Sequence, residues 1–291
     1  LMLEATRRVL GPALPIICGA FIAYVFLGPY LPDVVAFKGA TLSRFISQIT
    51  MDTQGIYGVP LHVSATVVFL FVMFGTMLDR AGGGAFFTRL AISGLGQYRG
   101  GAAKAAVVSS ALSGMVSGSS IANVVTTGTF TIPLMKRLGY PATKAAAIEV
   151  ASSVNGQLAP PVMGAAAFIM ADTLGMKYNE LLLSAIIPAV IYYMGILFQI
   201  QMRAEKMGMQ GTPKDQLPKM SQVMKEYGHL ALPIIFLVYM LFFSGKTVIM
   251  AAFYTIVFTI IVAQCRKNTR MTFQDILDAM VASAKSTVSV A

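Results

Sequence analysis

The sequence predicts an all-α polytopic membrane protein with about six transmembrane helices, a re-entrant helical hairpin and a broken helix. Three observations lead to this fold class. Of the 291 residues, 56% are hydrophobic and 12% are charged, whereas soluble domains carry roughly 25% charged residues. Several uncharged runs are long enough to cross the hydrocarbon core of a bilayer. Two of these apolar runs are interrupted by Gly, Ser, Asn or Pro, residues that favour breaks in helices.

Six uncharged runs are predicted to span the membrane: 9–32, 53–78, 150–171, 181–202, 227–245 and 247–265. A further run, 105–135, holds 31 residues without a formal charge. One straight helix of that length would measure about 46 Å, against a hydrocarbon core of about 30 Å, and two crossings would need about 40 residues. The intermediate length predicts a re-entrant hairpin, 101–139, whose small polar tip is Gly114–Asn123. A single tilted helix with a kink is the alternative.

The distribution of basic residues supports the hairpin. If Arg7 and Arg8 are cytoplasmic and the hairpin does not cross, 18 of the 22 Lys and Arg residues lie on the cytoplasmic side. If the hairpin crosses, only 8 of the 22 do. Cytoplasmic loops of membrane proteins are enriched in Lys and Arg, so the net charge of +10 indicates basic loops, with no nucleic-acid partner.

Two amphipathic segments, 40–50 and 272–285, each follow one span and precede another apolar run, with opposite orientations. This pattern is a weak sign of an inverted-topology repeat. We expect a scaffold span with an outer amphipathic segment (1–58), a first repeat core (59–202), a cytoplasmic linker (203–228) and further scaffold spans with the start of a second repeat (229–291). We also expect the chain to be a fragment, with a second hairpin beyond Ala291.

The broken helix is predicted at 145–172, where Asn155-Gly156 favours a turn and Pro160-Pro161 removes two backbone donors. The alternative is a Pro-kinked packing helix. Broken helices at the bilayer midplane commonly form the coupling-ion sites of secondary transporters. Because neither break contains an acidic residue, the sequence favours Na⁺ held by neutral oxygens over a carboxylate proton relay. Glu149 is expected at the membrane interface or paired with Lys144.

Other chemistry has little support in the sequence. There is no Walker A loop, no nucleophile–base set and therefore no predicted catalytic residue. Two Cys, Cys18 and Cys265, cannot build a disulfide framework or a metal site. An ion channel or a proton-coupled carrier with the same broken-helix site remains an alternative, and an intramembrane enzyme is disfavoured.

Two stretches carry a specific resemblance: SGMVSGSSIANVVTTGTFTIPLMK from Ser113 to Lys136, and EVASSVNGQLAPPVMGAAAFIMAD from Glu149 to Asp172. They resemble the large membrane subunit of tripartite ATP-independent periplasmic (TRAP) transporters. The sequence APPVMGAAAFIMA and the segment Leu3–Arg8 are similar to the corresponding sequences of the TAXI subgroup. In that subgroup the small and large membrane subunits are often fused. The resemblance covers nearly the whole chain.

The resemblance implies a Na⁺-coupled importer of organic acids in the bacterial inner membrane, working as an elevator. Its partners would be a periplasmic TAXI-type substrate-binding protein and a small membrane subunit. It implies Na⁺ ligands at the hairpin tip and the broken helix: Ser119, Ser120, Asn123, Ser152, Ser153, Asn155 and Gly156. It also makes five nearby positions candidates for substrate contacts: Ser117, Gly118, Gln157, Pro160 and Pro161.

Overall fold

A computed structural model describes residues 2–52 and 55–288, and the regular structure in these ranges is helical, without strands. Residues 53 and 54, with which the second predicted span begins, lie outside the described residues, as do residues 1 and 289–291. The α-helices run as follows: α1 Met2–Leu10, α2 Ala13–Leu27, α3 Leu42–Thr50, α4 Val59–Val63, α5 Phe69–Arg80, α6 Gly83–Leu95, α7 Gly101–Ser117, α8 Ser120–Arg137, α9 Ala142–Val154, α10 Ala165–Thr173, α11 Tyr178–Lys206, α12 Met220–Tyr227, α13 Leu232–Phe242, α14 Val248–Gln264 and α15 Phe273–Val288.

Four described segments are long and apolar enough to cross a membrane: Ala13–Tyr30, Leu61–Arg80, Tyr178–Lys206 and Lys214–Phe242. They coincide with four of the predicted spans. The predicted spans 150–171 and 247–265 instead contain the shorter apolar helices Ala165–Leu174 and Val248–Gln264, so the number of six crossings stays a prediction. On α11, Ile187 and Ile191 are 67% and 66% exposed, as expected of a surface that faces lipid.

The described residues form two compact units: the first comprises those up to Ser64 together with Val288, and the second comprises Ala65–Thr287. In the first unit, Thr41 caps the N-terminus of α3, and its Oγ1 accepts a hydrogen bond from the Arg44 amide at 3.3 Å. This helix confirms that the amphipathic segment 40–50 is helical. The Glu4 carboxylate on α1 accepts hydrogen bonds from Arg7 at 2.7 Å and from Arg8 at 2.9 Å. These pairs are exposed, so they add little to stability.

In the second unit, the predicted hairpin is two helices, α7 and α8, that pack against each other. Gly118 ends α7 with φ +62°, a left-handed conformation that favours glycine. Ser119 then caps α8, and its side chain accepts a hydrogen bond from the Ala122 amide at 3.3 Å. The break therefore occurs within the predicted tip. The side of the membrane on which the hairpin opens stays a prediction.

The predicted broken helix is interrupted between α9 and α10. Residues 155–157 form a 3₁₀ turn, and the peptide bond between Pro160 and Pro161 is cis. The Val162 amide donates to the Met115 carbonyl of α7 at 3.2 Å, which ties the break to the hairpin. On the other side, the hydroxyl of Tyr178 in α11 donates to the Pro161 carbonyl at 3.2 Å and also contacts the Val162 carbonyl. The Tyr178 ring stacks on Phe168, and Phe168 stacks on Phe71 of α5.

The hairpin and the break between α9 and α10 are in contact through their main chains. A Cβ on Gly156 would lie 2.7 Å from the Gly114 Cα, and a Cβ on Gly114 would lie 2.9 Å from the Gly156 Cα. No side chain fits at either position without moving the main chain. Elsewhere in the hairpin region, small residues such as Ala103, Ala106 and Ala145 are buried in a cluster with Met135 of α8, which allows close helix packing.

The C-terminal part of the second unit contains larger side chains. Phe236 on α13 and Phe258 on α14 pack with their ring centroids 4.5 Å apart. After α14, Thr272 and Asp275 form a reciprocal cap at the start of α15: the Thr272 amide donates to Asp275 Oδ2 at 2.8 Å, and the Asp275 amide donates to Thr272 Oγ1 at 3.2 Å. Helix α15 confirms that the second amphipathic segment is helical.

Candidate functional site

A cluster of buried polar side chains joins the three helices of the hairpin region. Asn123, Thr127 and Thr131 lie four residues apart along α8 and therefore share one face of that helix. Glu149 and Ser153 have the same spacing on α9, and Ser110 faces them from α7. We call these residues the polar cluster: Ser110, Asn123, Thr127, Thr131, Glu149 and Ser153. Each of them is at most 1% exposed.

Glu149 is the centre of the polar cluster. Its Oε2 accepts a hydrogen bond from Thr131 Oγ1 at 2.6 Å. Its Oε1 accepts from Ser110 Oγ at 3.2 Å and Ser153 Oγ at 3.3 Å, and it also contacts Thr127 Oγ1. None of the ion pairs among the described residues includes Glu149. Hydroxyl groups, without a basic partner, thus surround a carboxyl group that has no exposed surface.

Asn123 connects the carboxyl group to the hairpin. Its Nδ2 donates to the Ser110 carbonyl at 2.8 Å, to Ser110 Oγ at 2.9 Å and to Ser153 Oγ at 3.1 Å. Because a carbonyl can only accept, the Ser110 carbonyl determines which end of the Asn123 amide faces it. Asn123 Oδ1 is left buried without a hydrogen-bond partner. Such an unpaired acceptor is costly unless a ligand or water satisfies it.

The polar cluster contains two of the predicted Na⁺ ligands, Asn123 and Ser153. Ser152 and Asn155 lie on the side facing α11: the Tyr193 hydroxyl donates to the Ser152 carbonyl at 3.4 Å, and Asn155 Nδ2 donates to the Ala189 carbonyl at 3.4 Å. Gly156 makes the backbone contact with Gly114.

The two remaining predicted ligands, Ser119 and Ser120, are at the half-buried tip of the hairpin. The Ser119 side chain caps α8. Ser120 Oγ accepts a hydrogen bond from Nε2 of the exposed Gln157 at 3.1 Å. The predicted ligands therefore separate into a buried cluster, a side facing α11 and a half-exposed tip.

The predicted substrate contacts also separate by depth. Ser117 and Gly118 are half-buried at the tip, Gln157 is exposed and Pro160 is half-buried. Pro161 is buried, and its carbonyl accepts the Tyr178 hydrogen bond. In this conformation, Gln157 presents the most accessible polar group of the five.

One expectation for Glu149 is wrong. Lys144 is exposed, Glu149 is buried, and the ion pairs among the described residues do not include Glu149, so the expected pair with Lys144 is incorrect. The expected position of Glu149 at the membrane interface stays a prediction. Ser110, Thr127 and Thr131 were missed altogether. The four-residue spacing of Asn123, Thr127 and Thr131 is a signal that could have found the polar face of α8.

The described residues contain no group of three or more His, Cys, Asp or Glu side chains that could hold a metal ion. The acceptors available near the hairpin tip and the break are amide, hydroxyl, carbonyl and single carboxyl oxygens. Oxygen ligands of this kind suit hard cations.

A family model described as the DctM component of tripartite ATP-independent periplasmic transporters matches residues 1–291, the whole chain. The chain belongs to this family. The TRAP resemblance is thereby confirmed at the level of the large permease, a family of membrane transport proteins. The four apolar segments long enough to cross a bilayer agree with a multi-pass permease.

Curated relatives of this permease are distant. A C4-dicarboxylate TRAP transporter large permease protein of Rhodobacter capsulatus is 26% identical over 209 residues, covering 66% of this chain and 47% of the relative. A protein of the same description from Vibrio cholerae is 27% identical over 143 residues, or 49% and 31% of the two chains. An uncharacterised protein of Sinorhizobium fredii is 24% identical over 211 residues, or 72% and 50%. The chain spans about half the length of the first of these relatives.

Proposed function

We propose that the chain forms part of a Na⁺-coupled secondary transporter that imports organic acids across the bacterial inner membrane. A periplasmic substrate-binding protein of the TAXI type would deliver the substrate, and a small membrane subunit would complete the membrane part. The hairpin and the broken helix would move past the remaining spans as an elevator. The family supports the transport role, and the names of two relatives, which specify C4-dicarboxylates, support an organic acid as substrate.

The observation that carries the ion assignment is the unpaired Oδ1 of Asn123. It is a buried oxygen with no donor to satisfy it, next to the contact between Gly114 and Gly156, where hairpin and break meet. A Na⁺ ion would supply the missing positive partner. Asn123 and Ser153 of the polar cluster would provide ligands, together with carbonyl oxygens freed where α9 ends. Ser119, Ser120, Ser152, Asn155 and Gly156 complete the proposed site as residues of the two breaks.

The proposed substrate position is the half-exposed tip. Gln157 and Ser120 form a hydrogen-bonded pair there, and Ser117 and Gly118 lie beside them. Amide and hydroxyl groups of this kind can donate to a carboxylate. Pro160 and Pro161 would shape the wall of this site.

The elevator proposal is supported by a difference in packing. The hairpin region buries mainly Ala, Gly and Ser, whereas α13 and α14 carry exposed aromatic side chains such as Tyr239 and Phe253. Close packing of small residues favours a region that moves as one body. Bulky apolar side chains suit a surface that lipid or a sliding partner covers.

The test is uptake by the complete transporter in proteoliposomes, with purified binding protein and a panel of radiolabelled organic acids. We expect Asn123→Ala to raise the Na⁺ concentration for half-maximal uptake roughly tenfold, which corresponds to about 1.4 kcal/mol of binding free energy. Asn268→Ala removes an exposed amide and is the matched control, with no change expected. Uptake that ignores Na⁺ in the wild-type protein would refute the ion assignment.

A further inference from the structure

The turn between α8 and α9 contains a buried tyrosine whose hydroxyl group is unused. Tyr140 is 4% exposed, and its ring lies in an apolar cluster with Ala103, Met135 and Ile200. Its hydroxyl group has no hydrogen-bond partner among the described residues. A buried polar group of this kind is costly unless a ligand or water satisfies it.

The Tyr140 hydroxyl faces the N-terminus of α7, a helix of 17 residues. A Cβ on Gly100, the residue before this helix, would lie 3.0 Å from Tyr140 Oη. The missing side chain therefore lets the hydroxyl approach the first turn of α7. Gly100 has φ +67°, a conformation that glycine adopts readily. Because helix N-termini carry a partial positive charge, they favour anions.

The first turn of α7 also offers a backbone donor. In a continuous helix the Ala102 amide would donate to the carbonyl of Tyr98, four residues earlier. Here the Tyr98 carbonyl accepts from the Gly101 amide at 2.8 Å instead. The amides of residues 103 and 104 donate to the Gly100 carbonyl at 3.0 and 3.1 Å. The Ala102 amide, on a residue that is 5% exposed, is thus left for a ligand.

A small cavity lies where these two donors meet. Its lining includes Gly100, Gly101 and Ala102 at the start of α7, Tyr140, and Gln210 and Thr212 of the linker that follows α11. Its volume is about 10 Å³, close to the least that one water molecule needs. A phosphate or another polyatomic anion is therefore too large. Gln210 is exposed and Thr212 is half-buried, so this wall can shift to admit a halide ion, which is larger than water.

The charges near the cavity are mainly positive. Arg99 and Lys104 flank the start of α7, and Arg203 of α11 is close enough to Tyr140 to act on its hydroxyl group. The acidic residue in the same part of α11, Glu205, is exposed to water. Together with the partial charge of the helix N-terminus, the basic residues favour a negative ligand over a neutral one.

The Tyr140 hydroxyl can act as a donor at neutral pH. Burial raises the pKa of this hydroxyl, and the opposing effect of the positive charge on Arg203 is smaller. The group therefore keeps its proton and can donate it to an anion. A water molecule could accept the same two hydrogen bonds, but its own two protons would then need acceptors, whereas an anion has no such requirement.

We propose that this cavity binds a monatomic anion such as chloride, held by the Tyr140 hydroxyl and the Ala102 amide. The ion connects the start of α7 with the turn after α8 and with the linker after α11. The linker is already fixed beside the site, because the Thr212 amide donates to the Gly96 carbonyl at 2.9 Å. A bound anion would therefore stabilise the base of the hairpin against this linker. Its binding requires neither the proposed Na⁺ coupling nor the proposed substrate.

Thermal unfolding of the purified complete transporter tests the site. The unfolding midpoint is compared in sodium chloride and in sodium gluconate at the same concentration, so that Na⁺ and ionic strength are equal. Chloride should raise the midpoint of the wild-type protein by about 2–4 °C once its concentration is about tenfold above Kd. The same midpoint in both salts would overturn the proposal.

Two variants locate the effect of chloride. Tyr140→Phe keeps the ring in the apolar cluster and removes the hydroxyl group, so the chloride shift should be lost. Tyr98→Phe is the matched control, because Tyr98 precedes the same helix and is 52% exposed, and it should keep the full shift. A chloride shift of wild-type size in Tyr140→Phe would mean that chloride acts elsewhere and would contradict the proposed site.

Bromide in crystals of the wild-type transporter gives a test that does not depend on the folding of Tyr140→Phe. Bromide replaces chloride and scatters anomalously, so an anomalous difference peak should appear within hydrogen-bond distance of Tyr140 Oη and the Ala102 amide. Density for a water molecule at this position without an anomalous peak, or bromide peaks only at other positions, would overturn the proposal.

Discussion

Helices α8 and α14 carry the same local pattern with different consequences. In α8, Thr127 and Thr131 are buried four residues apart, and each hydroxyl lies within hydrogen-bond distance of the carbonyl four residues before it. In α14, Thr255 and Thr259 are also buried four residues apart, and their hydroxyls donate to the corresponding carbonyls at 2.7 Å. Only the α8 pair also contacts a carboxyl group, that of Glu149.

The comparison shows what a buried threonine contributes in each setting. A hydroxyl that donates to a carbonyl of its own helix needs no partner from another helix. The carbonyl that it uses also accepts the backbone hydrogen bond of the helix. A hydroxyl that also bonds to a buried carboxylate offsets the cost of removing that charge from water. The threonine pair of α14 therefore contributes only to packing, whereas the hydroxyls of the α8 pair also support an ionisable group, the carboxyl of Glu149.

The largest effect should come from removing both hydroxyls of a pair. Thr127→Val combined with Thr131→Val should lower the free energy of unfolding by about 3 kcal/mol, since two donors to a buried carboxylate are lost. Thr255→Val combined with Thr259→Val replaces each hydroxyl by a methyl of similar size, and a change within about 1 kcal/mol is expected. Chemical unfolding in detergent micelles measures both. Equal losses of unfolding free energy in the two double variants would contradict the distinction between α8 and α14.

A smaller effect should come from filling the space beside Glu149. Gly128→Ala places a Cβ 3.3 Å from both Glu149 Cγ and Ile132 Cδ1. We expect a net loss of about 1 kcal/mol, because the carboxyl group is held by its hydrogen bonds and cannot move aside freely. The control is Gly195→Ala in α11, where nothing lies within 4 Å and the gain in helix propensity should stabilise the protein by about 0.5–1 kcal/mol. A gain in stability at both sites would show that Glu149 is loosely held.

The smallest effect should be the same in both helices. Thr131→Ser and Thr259→Ser each keep the hydroxyl and remove one buried methyl group, which costs about 0.8 kcal/mol. If the hydroxyl of Thr131 is what supports Glu149, Thr131→Ser should lose no more stability than Thr259→Ser in chemical unfolding. A loss in Thr131→Ser that clearly exceeds the loss in Thr259→Ser would instead show that the methyl group of Thr131 is also needed.

The breaks in the hairpin and in the broken helix could be predicted from the sequence because their causes are local. Gly118 can adopt a positive φ and Ser119 can cap a helix, so consecutive small polar residues are sufficient to end α7 and begin α8. Pro160 and Pro161 similarly cannot continue a helix. The amphipathic segments at α3 and α15 were predictable for the same reason, since each is defined by its own periodicity.

The polar cluster could not be predicted because it depends on three helices meeting. Glu149 adjoins an uncharged run, and counting from that run placed it at the membrane surface. In the structure α9 already begins at Ala142, so Glu149 is seven residues into the helix, about 10 Å along its axis. Ser110 lies 39 residues before Glu149 in the chain, and no short-range pattern indicates that the two side chains touch.

The irregular segment between α9 and α10 is tied down at both sides. Its Val162 amide bonds the Met115 carbonyl of the hairpin, its Gly164 amide bonds the Gln157 carbonyl at 2.7 Å, and Tyr178 holds its carbonyls from α11. Amide protons exchange with solvent slowly where local opening must break such contacts. Val162 and Gly164 should therefore exchange their amide hydrogens as slowly as residues within helices, so that in a deuterium-labelling time course this non-helical segment stays protected together with the helices around it.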